Sequence, residues 1–132
     1  RVLAVDIQPE MLEIISSRIA QSGTTNVEPL LGGVQSPNLA ANSIDLAFIV
    51  DAYHEFSHPF EMGQGLFEAL KPGGQLVLIE YRGEDASVPI KRLHKMTAQQ
   101  AGKEMRALGF TGPDMLDVLP QQHILIFTKP AE

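Results

Sequence analysis

Two continuous apolar runs constrain the fold of this chain most strongly. The stretches SIDLAFIVDA at 43–52 and QLVLIEY at 75–81 are too short for buried helices between their flanks. Each therefore predicts a buried strand of the kind found in parallel sheets. RVLAVD at 1–6 is a third such run, and NVEPLLG at 26–32 predicts a short, proline-interrupted strand near a sheet edge.

Helical patterns separate these strands. The first predicted helix begins at Pro9 and ends at Gly23, the second runs over 60–70, and the third follows a capping box made by Thr97 and Gln100. Their apolar faces are predicted to comprise Met11, Leu12, Ile15 and Ile19 in the first helix, Phe60, Gly63, Leu66 or Phe67, and Leu70 in the second, and Ala101, Met105 and Leu108 in the third. Strands alternating with helices predict an α/β domain around a parallel sheet.

The end of the chain departs from this alternation. PDMLDVL at 113–119 and QHILIFTKP at 122–130 are separated by two residues, too few for a crossover between parallel strands. We therefore expect an antiparallel pair. The predicted fold is a three-layer α/β sandwich, mostly parallel with an antiparallel C-terminal strand, and residues 1–132 form a single domain.

The composition of the chain bears on which kinds of binding partner are expected. The formal net charge is -6 and no Lys/Arg run is present, so no nucleic-acid partner is expected. No apolar stretch is long enough to span a bilayer, so no membrane partner is expected either. The absence of cysteine excludes disulfides and thiolate metal sites but does not identify the compartment, for which the cytoplasm is only a default.

Three stretches carry a family resemblance. VLAVDIQPEML at 2–12, SIDLAFIVDAYHEF at 43–56 and ALKPGGQLVLIEY at 69–81 resemble, in order, the second, fourth and fifth strands of class I S-adenosylmethionine-dependent methyltransferases, each with its flanking turn or helix. With the C-terminal hairpin, the resemblance covers essentially the whole chain. It implies a Rossmann-like fold, S-adenosylmethionine as cofactor and methyl transfer to a small-molecule acceptor.

The sequence also departs from the family pattern. The family's first strand and its glycine-rich turn do not appear before Arg1, so the resemblance implies a truncated domain. In the family's sheet that strand lies between those ending at Asp6 and Asp51. Its loss would leave two apolar edges that pair with each other or with a second copy of the chain. We expect the chain alone to bind the cofactor weakly or not at all.

The resemblance implies cofactor contacts near two strand ends. Asp6 would accept hydrogen bonds from the ribose hydroxyls, although it could instead cap the following helix. Ile7 would lie against the adenine unless it only packs. Gly33 and Val34 follow the second strand, where Gly33 replaces an acid common in the family.

The loop after the fourth family strand supplies the catalytic candidates. Asp51 would lie near the sulfonium as a cofactor contact, and His54 is the candidate base for an acceptor that loses a proton. The alternative for His54 is a polar residue that caps the loop. Tyr53 either lines the acceptor site or packs.

A second group of candidate site residues lies at the end of the next predicted strand. Glu80 and Tyr81 are candidate substrate contacts and, with Arg82, could orient an acid or a phosphate. The alternative for Glu80 is an internal ion pair with Arg82 or Lys91. His94 and Lys95 lie in the region that the family uses for substrate lids.

The sequence also raises the possibility of a metal site and of two other functions. His54 and His58 have a metal-like spacing, but Pro59 disfavours a helix there and no third ligand is near in sequence, so no metal is expected. The loop Asp51–His54 also lacks the Pro-Pro pattern of enzymes that methylate bases or glutamine. A nicotinamide-binding oxidoreductase and a non-catalytic association domain with a methyltransferase-like fold remain the alternatives.

Overall fold

The computed structural model describes residues 1–131. Six strands and three helices alternate in the order β1 (Val2–Asp6), α1 (Pro9–Ser22), β2 (Val27–Leu31), β3 (Ile44–Val50), α2 (Pro59–Ala69), β4 (Leu70–Tyr81), α3 (Ala98–Ala107), β5 (Thr111–Leu116) and β6 (Gln122–Thr128). Two single 3-10 turns, Tyr53–Glu55 and Arg92–His94, lie in the loops after β3 and β4. The predicted α/β class is confirmed.

The helix boundaries follow the predicted signals. Pro9 occupies the first turn of α1, and Gly23 ends the helix in the left-handed conformation with φ of 67°. The Thr97 side chain accepts a hydrogen bond from the Gln100 amide, so α3 begins as predicted. Two predicted core positions are wrong, because Met11 of α1 is 41% exposed and Phe60 of α2 is 58% exposed, while Met62 is buried instead of Phe60.

The strands form two sheets among the described residues. In the first, β1 pairs with β2 in parallel. The second has the order β3-β4-β6-β5, in which β3 and β4 are parallel and β6 is antiparallel to both β4 and β5. The C-terminal antiparallel pair is therefore confirmed.

One edge of each sheet carries apolar side chains without a paired strand. Within residues 1–131, β3 pairs only with β4 and β1 only with β2, so the buried position predicted for β3 is not observed and the two edges do not pair with each other. Phe48 on β3 is 62% exposed, and Val2 and Val5 on β1 are 43% and 39% exposed. Association of these edges with a second copy remains a prediction.

The hydrophobic core lies between the four-stranded sheet, α2, α3 and the loops that join them. Its fully buried side chains include Leu76 and Leu78 of β4 and Leu125 and Phe127 of β6. By contrast, α1 buries none of its residues. Among the helices of the described chain, none combines the length and the hydropathy needed to cross a membrane.

A buried histidine gives this core a pH response. His123 of β6 is 2% exposed, and its Nε2 atom has no hydrogen-bond partner within residues 1–131. Burial lowers the pKa of His123 below its ordinary value of 6.5, although the nearby Glu84 carboxylate acts in the opposite direction. The unfolded chain consequently binds the proton at a higher pH than the folded chain does.

We therefore expect the free energy of unfolding to decrease as the pH falls below 6.5 towards the lowered pKa of His123, because only the unfolded state takes up the proton in that window. Thermal unfolding followed by circular dichroism from pH 7.5 to 5 measures this effect. His123→Gln should flatten the decrease below pH 6.5, and His58→Gln is the matched control. Equal pH slopes for the wild type and His123→Gln would contradict the assignment.

Candidate functional site

The polar candidates lie at the carboxyl ends of parallel strands, where open α/β sheets bind ligands. Asp6 is the last residue of β1, and Asp51 directly follows β3. The Asp51 amide donates a hydrogen bond to the Ile79 carbonyl at 2.8 Å, which extends the pairing of β3 with β4 and sets Asp51 beside the end of β4.

Asp6 binds the backbone that leads into α1. Its Oδ1 atom accepts a hydrogen bond from the Gln8 amide at 2.8 Å. Gln8, rather than Asp6, is the residue that caps α1, so the alternative of Asp6 as the N-cap is wrong. Within residues 1–131 no hydrogen bond engages the other carboxylate oxygen, which is free to accept hydroxyl donors.

The other predicted cofactor contacts surround this strand end. Ile7 and Val34 are each 50% exposed, so both present apolar surface rather than packing in the core. Gly33 donates its amide to the Ser36 carbonyl at 2.8 Å and shapes the loop after β2. At the neighbouring Gly32, a Cβ atom would lie 2.9 Å from Val5 Cγ1, so the loop approaches β1 too closely for a side chain there.

Asp51 is held in a conformation that non-glycine residues rarely adopt. Its φ is 48°, and its Oδ2 atom accepts a hydrogen bond from Gln122 Nε2 at 2.6 Å. The Oδ1 atom is buried and has no hydrogen-bond partner among the described residues. A buried carboxylate oxygen without a partner is costly, and it is an acceptor suited to a polar or positively charged ligand.

Glu80 and His54 form a buried dyad. Glu80 Oε2 lies 2.7 Å from His54 Nδ1, while Glu80 Oε1 accepts hydrogen bonds from the amides of Tyr53 at 2.9 Å and His54 at 3.4 Å. The Glu80 side chain is fully buried and that of His54 is 8% exposed. Since an ionised carboxylate only accepts, Nδ1 is the donor, and Nε2 of the neutral ring is left as the basic nitrogen.

This dyad corrects the predictions for Glu80. Glu80 is buried beneath His54 and does not face the cleft as a substrate contact. It also pairs with neither Arg82 nor Lys91. Arg82 instead binds the Asp117 carboxylate and the carbonyls of Leu119 and Pro120.

Tyr53 packs in the core, as one of its two predicted roles requires. It is 3% exposed, its ring contacts Phe56, and its hydroxyl donates to Glu104 Oε2 at 2.7 Å. Burial and this hydrogen bond raise the pKa of Tyr53 far above its ordinary value of 10, so the phenol stays protonated near neutral pH and is no base.

The dyad opens on a cleft of about 430 Å³. The residues lining it are Asp51, His54, Glu55, Tyr81, Pro89, Ile90, Lys91 and His94. The structure thus brings Asp51, His54 and Tyr81 together and adds Glu55, which the sequence did not single out. Two other candidates lie apart: Lys95 donates to the Asp85 carbonyl, and His58 contacts the Ser57 hydroxyl.

Acids at strand ends and a histidine–carboxylate dyad over a cleft define a Rossmann-like ligand-binding domain. Residues 1–74 match the family model of the methyltransferase domain, and the chain belongs to this family. Its class is that of S-adenosylmethionine-dependent methyltransferases. The family match also decides against the nicotinamide-binding alternative.

The chain is similar in sequence to one curated relative and in fold to two solved structures. It is 39% identical over 57 residues to a tRNA U34 carboxymethyltransferase of Desulfotalea psychrophila (strain LSv54 / DSM 12343), an alignment covering 43% of this chain and only 18% of that enzyme. An S-adenosylmethionine-dependent methyltransferase from Aquifex aeolicus is similar in fold, with a TM-score of 0.89 and 22% identity, over 98% of this chain and 69% of that one. A type 11 methyltransferase from Sulfolobus solfataricus gives a TM-score of 0.80 at 14% identity, over 100% of this chain and 72% of that one.

The residues present fit S-adenosylmethionine, the cofactor of this class. Asp6 offers a carboxylate oxygen to a ribose, and the half-exposed Ile7 offers apolar surface beside it. The buried Oδ1 atom of Asp51 offers an acceptor without a partner. These three residues would hold the cofactor along the carboxyl ends of β1 and β3.

Proposed function

We propose that the domain transfers a methyl group from S-adenosylmethionine to a small-molecule acceptor that loses a proton in the reaction. The observation that carries this proposal is the dyad of Glu80 and His54, whose Nε2 side lies in the cleft lined by Asp51 and Tyr81. A base directed into a cleft at a cofactor-binding edge suits a hydroxyl or an acidic-carbon acceptor.

Each residue of the site has a separate role in this mechanism. S-adenosylmethionine supplies a methyl group on a positively charged sulfur. Asp6 binds the ribose, and Asp51 contributes negative charge to the pocket for the sulfonium. His54 Nε2 would remove the acceptor proton, and the cofactor would leave as S-adenosylhomocysteine once its sulfonium–methyl bond is broken. Glu80 holds the ring in the required tautomer and stabilises the imidazolium that results.

A tRNA acceptor is the second candidate, and the 39% identity to the carboxymethyltransferase supports it. The net charge of -6 favours the small molecule, because a nucleic-acid substrate is normally met by a basic surface. Methyl transfer from labelled cofactor, assayed against unmodified tRNA and against pools of hydroxyl, amine, thiol and acidic-carbon compounds, separates the two. Transfer to tRNA alone would overturn the small-molecule proposal. Because the chain alone is expected to bind the cofactor weakly or not at all, only the absence of cofactor binding by the intact protein would favour the association-domain alternative.

Asp6→Asn is expected to weaken binding of S-adenosylhomocysteine about 10- to 100-fold, since a hydrogen bond to a charged group contributes roughly 1.5–3 kcal/mol. An NMR titration of the labelled chain measures this even where the affinity is low. Asp45→Asn is the matched control, because Asp45 lies near the amino end of β3 and pairs with Lys71. Equal affinities for wild type and Asp6→Asn would remove Asp6 from the cofactor site.

A further inference from the structure

Three potential metal ligands converge at the mouth of the cleft. Glu55 Oε1 lies 3.3 Å from His54 Nε2 and 2.9 Å from His94 Nδ1, and the two histidine nitrogens are 3.4 Å apart. The 3-10 turn Tyr53–Glu55 supplies the first two side chains, and the turn Arg92–His94 supplies the third. The two imidazole rings meet at 88°.

The contacts around His54 place carboxylates on both sides of its ring. Glu80 Oε2 lies 2.7 Å from Nδ1, and Glu55 Oε1 lies 3.3 Å from Nε2. A cation held at Nε2, either a proton or a metal ion, makes the second of these contacts favourable. His94 Nδ1 lies 2.9 Å from Glu55 Oε1 on the other side and can bind a metal ion when it is deprotonated.

The separations match those around a tetrahedral metal ion. Bonds of about 2.0–2.1 Å at tetrahedral angles place neighbouring ligand atoms about 3.3–3.4 Å apart. Two of the three observed separations have this value. The third, at 2.9 Å, joins two exposed side chains, which can move by the few tenths of an ångström required.

The surroundings resemble those of a metal ligand as well. Metal-binding histidines usually donate their second ring nitrogen to a carboxylate, which fixes the tautomer and makes the ring more basic. Glu80, fully buried, does this for His54. His94 and Glu55 are 48% and 60% exposed, so a bound ion would keep a coordination position open to the cleft.

We propose that His54, Glu55 and His94 bind one divalent transition-metal ion, with Zn²⁺ as the preferred ion for two imidazoles and one carboxylate. The site does not rest on the proposed methyl transfer, and it uses the same Nε2 atom, so the ion and the acceptor proton would compete for it. The proposal departs from the expectation of no metal. The sequence pointed to His58 as the partner of His54, whereas His58 lies outside the cluster and His94 lies within it.

The test is a calorimetric titration of the tag-free 132-residue chain with ZnCl₂, and Co²⁺ absorption in the visible range as a second readout of tetrahedral coordination. We expect one ion per chain. His94→Ala and Glu55→Gln should each weaken Zn²⁺ binding by at least about 10- to 100-fold, the range seen when even outer partners are lost. Both positions are exposed, so the variants should retain the wild-type melting temperature.

His58→Ala is the matched control and should leave the Zn²⁺ affinity unchanged, because this histidine contacts only Ser57 among the hydrogen bonds described for its side chain. The absence of a one-to-one Zn²⁺ complex in the wild type would overturn the proposal, as would binding that His94→Ala and Glu55→Gln leave intact. The titration contains no S-adenosylmethionine, so its failure is distinguishable from failure of the proposed function.

Discussion

Glu80→Ala is expected to destabilise the fold by about 2–6 kcal/mol, because two buried donors lose their acceptor at roughly 1–3 kcal/mol each. The substitution leaves the Tyr53 amide and His54 Nδ1 without their acceptor at the end of β4, in a region from which water is excluded. Urea unfolding followed by circular dichroism gives the free energy of unfolding and shows whether its slope is unchanged.

Two further variants make this stability prediction specific. Glu68→Ala removes an exposed carboxylate of α2 that accepts a hydrogen bond from the Gln64 side chain, and it should change the free energy of unfolding by less than about 0.5 kcal/mol. Glu80→Gln keeps an acceptor for the Tyr53 amide and should be less destabilising than Glu80→Ala. A Glu80→Ala protein as stable as wild type would show that the dyad is not part of the folded structure.

His54→Gln is expected to reduce the rate of methyl transfer about 100- to 10,000-fold, the usual contribution of a positioned general base. The loss should be largest for acceptors that remain protonated at neutral pH and smallest for those already ionised. Rates are measured with EDTA present, because a metal ion on Nε2 would occupy the lone pair that removes the proton.

The pH profile distinguishes a base from a residue that only shapes the cleft. Loss of His54 should abolish the limb of the rate profile that rises with pH, whereas Glu80→Gln, acting through His54, should shift that limb while preserving it. His58→Gln should retain the wild-type profile. A His54→Gln variant with an unchanged rising limb would exclude His54 as the base.

Local signals predicted most of the fold. Gly23 ends α1 and Thr97 begins α3 because helix ends require short-range hydrogen bonds and left-handed residues, which neighbouring sequence supplies. The position of Asp6 at the carboxyl end of β1 was also predictable, because the apolar run of the strand ends at this residue. The paired state of β3 was not, since an apolar run indicates burial without showing which strands lie beside it.

The site was predicted less completely, because its contacts join distant segments. Glu80 was expected to pair with the cations nearest in sequence, whereas the parallel pairing of β3 with β4 delivers His54 to it from 26 residues away. His94 is 40 residues from His54, and no spacing rule connects the two. The ring nitrogens of His54 and His94 come close because the two 3-10 turns that carry them pack together.

The uneven distribution of the core has a consequence for ligand recognition. Residues 1–31 contain no buried side chain, while every member of the core cluster comes from residue 53 or later. A segment with so little buried apolar surface opens at a small fraction of the global unfolding free energy. Asp6 therefore lies on the segment of the domain that opens most easily, and ribose binding there, as we propose it, would be coupled to the local folding of β1, α1 and β2.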